Sequence, residues 1–274
     1  MFPISYLTFY ILRMFKITDV AKHLLIINII LFLASRVFGL DMLALHYPGS
    51  SKFEPYQLVT YFFMHANFMH ILFNMFALVM FGSALEMTWG PKRFLFYYIA
   101  CALGAAALHI FMIYWDVSHL QQAIDTFQAT PNYDTFWAYF KKVPLDSLNP
   151  EFKEGILQLG EAVRQGQLEV VPQALQAMGQ YVTFQMDIPM VGASGAIFGL
   201  LLAFVFKFPN AELILFPIPI PVKAKYYVPV LMVLELFLGV NNFSWDNVAH
   251  FAHLGGAITG LILILFGRYF GKSF

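Results

Sequence analysis

Ser194 stands in Gly192-Ala193-Ser194-Gly195, at the start of an apolar run that continues to Phe206. His253 stands in a second apolar run, Ala249-His250-Phe251-Ala252-His253-Leu254-Gly255-Gly256. A hydroxyl and an imidazole are the pair that acyl transfer uses: the ring takes the serine proton as the oxygen attacks a carbonyl, then returns it to the leaving amine. Polar groups in lipid are costly and usually functional, so the pair points to peptide-bond cleavage inside a membrane. Gly192, Ser194 and Gly195 open a helix, where unpaired N–H groups and the positive end of the dipole suit an oxyanion. A third stretch, His65-Ala66-Asn67-Phe68-Met69-His70-Ile71-Leu72-Phe73-Asn74, sets His70 and Asn74 four residues apart. They therefore share a helix face, and both can donate to the anion of a tetrahedral intermediate.

Each of these residues has a plainer explanation. Serine and the Gly195-x-x-x-Gly199 spacing ordinarily serve close helix packing, and His and Asn in spans often make interhelical hydrogen bonds. The positions weigh against packing alone. His253, Gly256 and Gly260 lie at i, i+3 and i+7 on one face, so the glycines would let that face approach the Gly195/Gly199 helix and bring imidazole to hydroxyl. His250 is the rival base, one turn earlier and nearer the water interface. His65, His70, Asn74, His250 and His253 could also converge on a cation. Against this, no H-E-x-x-H occurs, and Glu86 and Glu235 read as lying at other depths; no metal and no cofactor are expected. No Asp falls within a span, which disfavours an aspartyl mechanism. No inverted repeat supports a transporter.

The elements that must position these groups are membrane helices. The chain is 59% hydrophobic and 12% charged, against about a quarter charged in soluble domains. Candidate spans run over residues 24–40, 59–85, 94–115, 190–206, 226–240 and 248–266, each near the roughly 17 to 25 residues a bilayer requires. The expected fold is an all-α polytopic bundle of six transmembrane helices. Residues 1–23 read as a cytoplasmic lead-in without a signal-peptide cleavage pattern, 24–115 as helices 1–3, 116–187 as an extramembrane helical insertion, and 188–274 as helices 4–6 with a short cytoplasmic tail. In the insertion, Leu120–Phe127 and Thr135–Val143 read as short helices around Thr130-Pro131-Asn132. Residues 149–167 read as a longer one, with Asn149 as N-cap, Pro150 at its first position, and a Phe152, Ile156, Leu159 and Val163 stripe; Pro172 starts another. A spacer packed on the membrane core is the simpler reading of this insertion than a separate binding domain. Lys92, Arg93, Lys207, Lys223, Lys225, Arg268 and Lys272 fall on the side of the N-terminus, which the positive-inside rule makes cytoplasmic. Ser194 and His253 then lie toward the outer leaflet. Cys101 is the only cysteine, so no intrachain disulfide forms, and a formal net charge of zero gives no support for nucleic-acid binding.

Three separated motifs in this order resemble the rhomboid intramembrane serine proteases: His65-x-x-x-x-His70-x-x-x-Asn74, Gly192-Ala193-Ser194-Gly195 and His253-x-x-Gly256-x-x-x-Gly260. The resemblance implies Ser194 as nucleophile and His253 as base, a dyad without aspartate. It implies an oxyanion hole from the Ser194 N–H, His70 and Asn74, with Gly192 aiding the backbone's approach, and a structural His65 holding the first outer loop. Substrates would be membrane proteins whose transmembrane helix enters from the lipid bilayer between the second and fifth helices, under a cap formed by the 241–247 loop. A non-proteolytic relative that binds transmembrane helices is the alternative. The chain departs from the family pattern in carrying Tyr56-Gln57 where some members have Trp-Arg, Phe198 where a tyrosine often packs on the catalytic histidine, and the insertion itself. The compact layout implies a bacterial inner membrane with the site facing the periplasm.

Overall fold

The computed structural model describes residues 17–215, 218–241 and 248–269. The loop expected to act as a cap, apart from Asn241, and most of the lead-in expected to be cytoplasmic lie outside the described residues. The first membrane helix, α1 (Asp19–Phe38), starts on a buried carboxylate from elsewhere in the chain. Glu86 accepts from the Thr18 hydroxyl and from the backbone N–H groups of Val20 and Ala21 at 3.0 Å. It thereby satisfies orphan donors at the positive end of the helix. Helix α2 (Phe68–Trp89) is N-capped by Asn67, whose side chain accepts the His70 N–H at 2.9 Å. The span expected to begin at residue 59 thus begins at Phe68 instead, because residues 57–63 form short turns in the first outer loop.

Helix α3 (Pro91–Ala129) is 39 residues long. At 1.5 Å per residue it extends about 58 Å, nearly twice the ~30 Å hydrocarbon layer. Part of it therefore extends beyond the hydrocarbon layer, and Leu120–Phe127 is its continuation rather than a separate helix. Leu120, Ile124 and Phe127 from this extension join α4 (Tyr133–Phe140), α5 (Pro150–Arg164) and α6 (Val171–Met186) in a hydrophobic cluster distinct from that of the membrane helices. Asn149 caps α5 by accepting the Glu151 N–H at 2.8 Å, and Ile156 and Val163 of its stripe are buried, with Phe152 and Leu159 packed partly against them. The insertion is tied back to the first outer loop through Asp187. This carboxylate accepts from the Ser50 hydroxyl at 2.6 Å and pairs with the Lys52 ammonium at 2.9 Å.

Helix α7 (Ser194–Lys207) has 14 residues, about 21 Å, too few to cross the hydrocarbon layer alone. One of its ends must lie within the membrane's depth. Irregular backbone is tolerated there only where its polar groups find partners, and the segment before Ser194 finds them in the first outer loop. Met190 and Leu45 exchange backbone hydrogen bonds at 2.8 and 2.9 Å, and the Gly192 N–H donates to the Tyr61 carbonyl at 3.0 Å. A short antiparallel hairpin follows, β1 (Glu212–Leu215) on β2 (Ile218–Lys223), with Glu212 opposite Lys223 and Leu213 opposite Val222. Sequence reading did not anticipate it. Pro219 and Pro221 lack the N–H a helix needs and suit an edge strand. Two further membrane helices complete the bundle, α8 (Ala224–Asn241) and α9 (His250–Tyr269). The molecule is an all-α polytopic membrane protein apart from this hairpin; among the described residues five helices are long and apolar enough to span, and the apolar α7 is shorter.

The central contact is made by α3, α7 and α9, and small residues make it close. A Cβ on Gly195 would overlap Ala105 of α3, one on Gly199 would overlap Cys101, and one on Gly256 would overlap the Gly195 backbone. Gly256 therefore faces α7 as its spacing implies. Gly260 instead faces Tyr97 and Cys101 of α3, because α3 fills the space beside α7 one turn further along.

Candidate active site

Ser194 is the first residue of α7, so its backbone N–H precedes the intrahelical ladder. His253 lies within the first turn of α9. The two meet at the N-terminal end of α7: Ser194 Oγ lies 2.9 Å from His253 Nε2. The imidazole is held flat against Phe198, one turn further along α7, with ring centroids 4.2 Å apart and planes inclined by 7°. Stacking therefore persists without a tyrosine hydroxyl.

Beside this pair lies His70, across Gly192. Gly192 has φ +117° and carries no Cβ where one would sit 2.7 Å from His70 Nε2 and 3.7 Å from Ser194 Oγ. Only glycine accepts both that backbone conformation and that proximity. The Ala66 N–H donates to His70 Nδ1 at 3.4 Å, which leaves the proton on Nε2, the nitrogen beside Gly192. Asn74, one turn along α2, is 6% exposed, and its Nδ2 has no hydrogen-bond partner among the described residues. An unsatisfied buried amide is costly.

His65 is buried and packs edge-on against the His70 ring at 5.0 Å, while Arg36 donates to the His65 and Ala66 carbonyls. The first outer loop is further pinned by Gln57, which is 1% exposed. Its amide oxygen accepts the His46 N–H at 3.1 Å, and its nitrogen donates to the Met42 and Lys52 carbonyls at 3.1 and 2.8 Å. The polar anchoring that Tyr56-Gln57 left open is thus made by an amide in place of a guanidinium.

Glu235 overturns its sequence reading. It comes from α8 at the depth of the histidines, 7% exposed, and its Oε2 lies 2.8 Å from His253 Nδ1 and 2.7 Å from His250 Nδ1. His250 is consequently turned to the carboxylate and does not replace His253 at Ser194. Nothing local in the sequence signals this meeting, since Glu235 is 15 and 18 residues from its partners and on another helix; an ionisable residue within an apolar span was the available sign. Ligand atoms of Glu235, His250 and His253 all lie within 4.8 Å of one another, a spacing that could hold a cation. The oxygen-to-nitrogen separations are hydrogen-bond lengths, however, shorter than the about 3.3 Å between two ligands on tetrahedral zinc.

The sequence profile of the Rhomboid domain matches residues 52–116 and 161–270, more than half of the chain, with its interruption inside the insertion. An uncharacterized mitochondrial rhomboid protein of Schizosaccharomyces pombe is 29% identical over 212 residues, covering 76% of this chain and 49% of that protein. The mitochondrial RHOMBOID-like protein 12 of Arabidopsis thaliana is 25% identical over 249 residues, 89% of this chain and 57% of that one. The mitochondrial Rhomboid protein 1 of Saccharomyces cerevisiae is 36% identical over 85 residues, 31% and 23% of the two chains. The chain therefore spans between 23% and 57% of the length of these relatives.

Proposed function

The chain belongs to the rhomboid family, and from that premise we propose that it is an intramembrane serine endopeptidase that cleaves transmembrane segments of other membrane proteins. The observation that carries the proposal is the 2.9 Å approach of Ser194 Oγ to His253 Nε2, with His70 close by across Gly192. In this reading His253 removes the Ser194 proton as Oγ attacks the scissile carbonyl. In the same reading the developing oxyanion takes hydrogen bonds from the Ser194 N–H, His70 Nε2–H and the Asn74 amide. The imidazolium then protonates the leaving amine. Water, deprotonated by the same ring, hydrolyses the acyl-enzyme.

The substrate reaches the site from the bilayer, between α2 and α8, as an unwound stretch of helix. Lys92, Arg93, Lys207, Lys223 and Lys225 flank the ends of the helices opposite the site, which by the positive-inside rule supports an orientation with the site and the insertion on the outer face. The three relatives above carry a mitochondrial designation. They lend no support to the bacterial inner membrane expected from the layout, and localising a tagged chain decides which membrane houses it.

The test is cleavage of a transmembrane reporter by purified protein in liposomes, with Ser194→Ala and His253→Ala at matched folding. Loss of cleavage in both supports the proposal. Cleavage that persists in either overturns it, and a wild type that binds the reporter helix without cutting it favours the non-proteolytic alternative.

A further inference from the structure

A carboxylate within a membrane bundle is expensive to keep, and neither Ser194 nor the oxyanion donors touch Glu235. Its position is nevertheless specific. One oxygen, Oε2, faces two ring nitrogens at 2.7 and 2.8 Å, His250 Nδ1 and His253 Nδ1, from the neighbouring helix. An ionised carboxylate can only accept hydrogen bonds, so each imidazole carries its proton on Nδ1. For His253 this leaves Nε2 with its lone pair, and Nε2 is the atom 2.9 Å from the Ser194 hydroxyl. Glu235 thus selects the one tautomer that can act as base toward Ser194. The ring is fixed in its plane by the Glu235 hydrogen bond on one side and by the Phe198 face, 4.2 Å away, on another. His250 gives the carboxylate its second donor and holds it in place from within α9.

We propose that Glu235 is a positioning residue for His253, making the working unit Ser194–His253–Glu235 with His250 anchoring the acid. The inference rests on the hydrolytic reading above. In each turnover the proton moves only between Ser194 Oγ, His253 Nε2 and the leaving amine or water. Glu235 stays ionised and faces the imidazolium's Nδ1–H at the moment the positive charge develops. Among the described residues, the groups that face His253 are Ser194 and Phe198 from α7, Glu235 from α8, His250 from α9 and, across the oxyanion space, His70 from α2. Among them only Glu235 is anionic.

The test compares wild type, Glu235→Gln and Glu235→Asp, full-length and in liposomes, by reporter kinetics, by the rate at which Ser194 is labelled by a fluorophosphonate, and by thermal transition. Glutamine keeps the size but removes the charge, and its amide can turn NH2 toward Nδ1 and favour the wrong tautomer. The expected result for Glu235→Gln is a fall in kcat on the order of 10²- to 10⁴-fold, as for loss of the orienting acid in other serine enzymes, with KM within about threefold. Fluorophosphonate labelling should slow in parallel and the thermal transition should stay in place. Glu235→Asp, which keeps an ionised acceptor, should recover part of the lost kcat. The inference is overturned if Glu235→Gln retains wild-type kcat and labelling, or if Gln and Asp lose activity equally and only in step with a lowered thermal transition, the mark of a helix tether. Ser194→Ala and His253→Ala in the same assay separate the two readings. If both abolish cleavage while Glu235→Gln matches wild type, this inference alone falls; if either still cleaves, or the wild type neither cleaves nor labels, the hydrolytic reading falls with it.

Discussion

Replacing Gly256 by alanine should disable the site from one turn away. A Cβ there would overlap the Gly195 carbonyl oxygen and sit 2.6 Å from its carbonyl carbon, against 3.4 Å or more in ordinary contact. The obstacle is backbone, so no rotamer change relieves it, and α9 must retreat from α7 by at least about 0.8 Å in a tightly packed interior. Gly195 adjoins Ser194, and Gly256 shares a helix face with His253, so the retreat acts on the 2.9 Å link between them. It lengthens to about 3.7 Å or more, beyond the 2.6 to 3.2 Å reach of a base. A misplacement near 1 Å can cost about 10²-fold in rate, and overpacking of this kind destabilises by about 1 to 3 kcal/mol. Reporter cleavage in liposomes and the thermal transition in detergent read the two effects. Wild-type kcat in a folded Gly256→Ala protein would refute the reasoning, since it would show that the helices can separate there without moving the serine from the histidine.

Asn74→Ala should lower kcat by about 10²- to 10³-fold, the loss seen when one oxyanion donor is removed. Its thermal transition should hold or rise, because Asn74 Nδ2 has no partner to lose; a wild-type rate would remove Asn74 from the oxyanion hole. Asp187→Asn should loosen the junction between insertion and outer loop by at most about 1 kcal/mol at neutral pH, the pair being partly exposed. The Ser50 hydroxyl and Lys52 ammonium hold the Asp187 carboxyl below the usual carboxylate range. Its stabilisation is therefore fully present above about pH 4 and is lost as pH falls through the lowered folded value. Limited proteolysis of the insertion should separate variant from wild type at pH 7 and no longer do so once Asp187 is protonated; an equal gap in acid would be the wrong result. Dialysis against a chelator should leave reporter cleavage unchanged, because protons hold the Glu235, His250 and His253 cluster together at 2.7 and 2.8 Å. Activity lost to the chelator and restored by zinc would show a cation there.

The local pattern of the chain determined much of this. Apolar runs of bilayer length marked the membrane helices. The glycine-flanked Ser194, the His253 face and the His70/Asn74 pair were legible because each depends on residues within one or two helical turns. Capping was equally local, as at Asn149-Pro150. Boundaries were less secure wherever hydrophobicity and helix did not coincide: residues 59–67 are apolar enough for a span yet form the outer loop, while α3 runs past Trp115 because its extension is buried by α4, α5 and α6 instead of lipid. What no local pattern could supply was the register between helices. That Gly256 meets α7 whereas Gly260 meets α3, that Gln57 fastens the outer loop, and that Glu235 shares one oxygen between His250 and His253 all depend on how separate helices dock. Sequence fixes which face a residue occupies on its own helix, by the helical repeat. Depth and rotation relative to a neighbour are set by close packing of side chains from several helices at once, and that exists only in the tertiary structure.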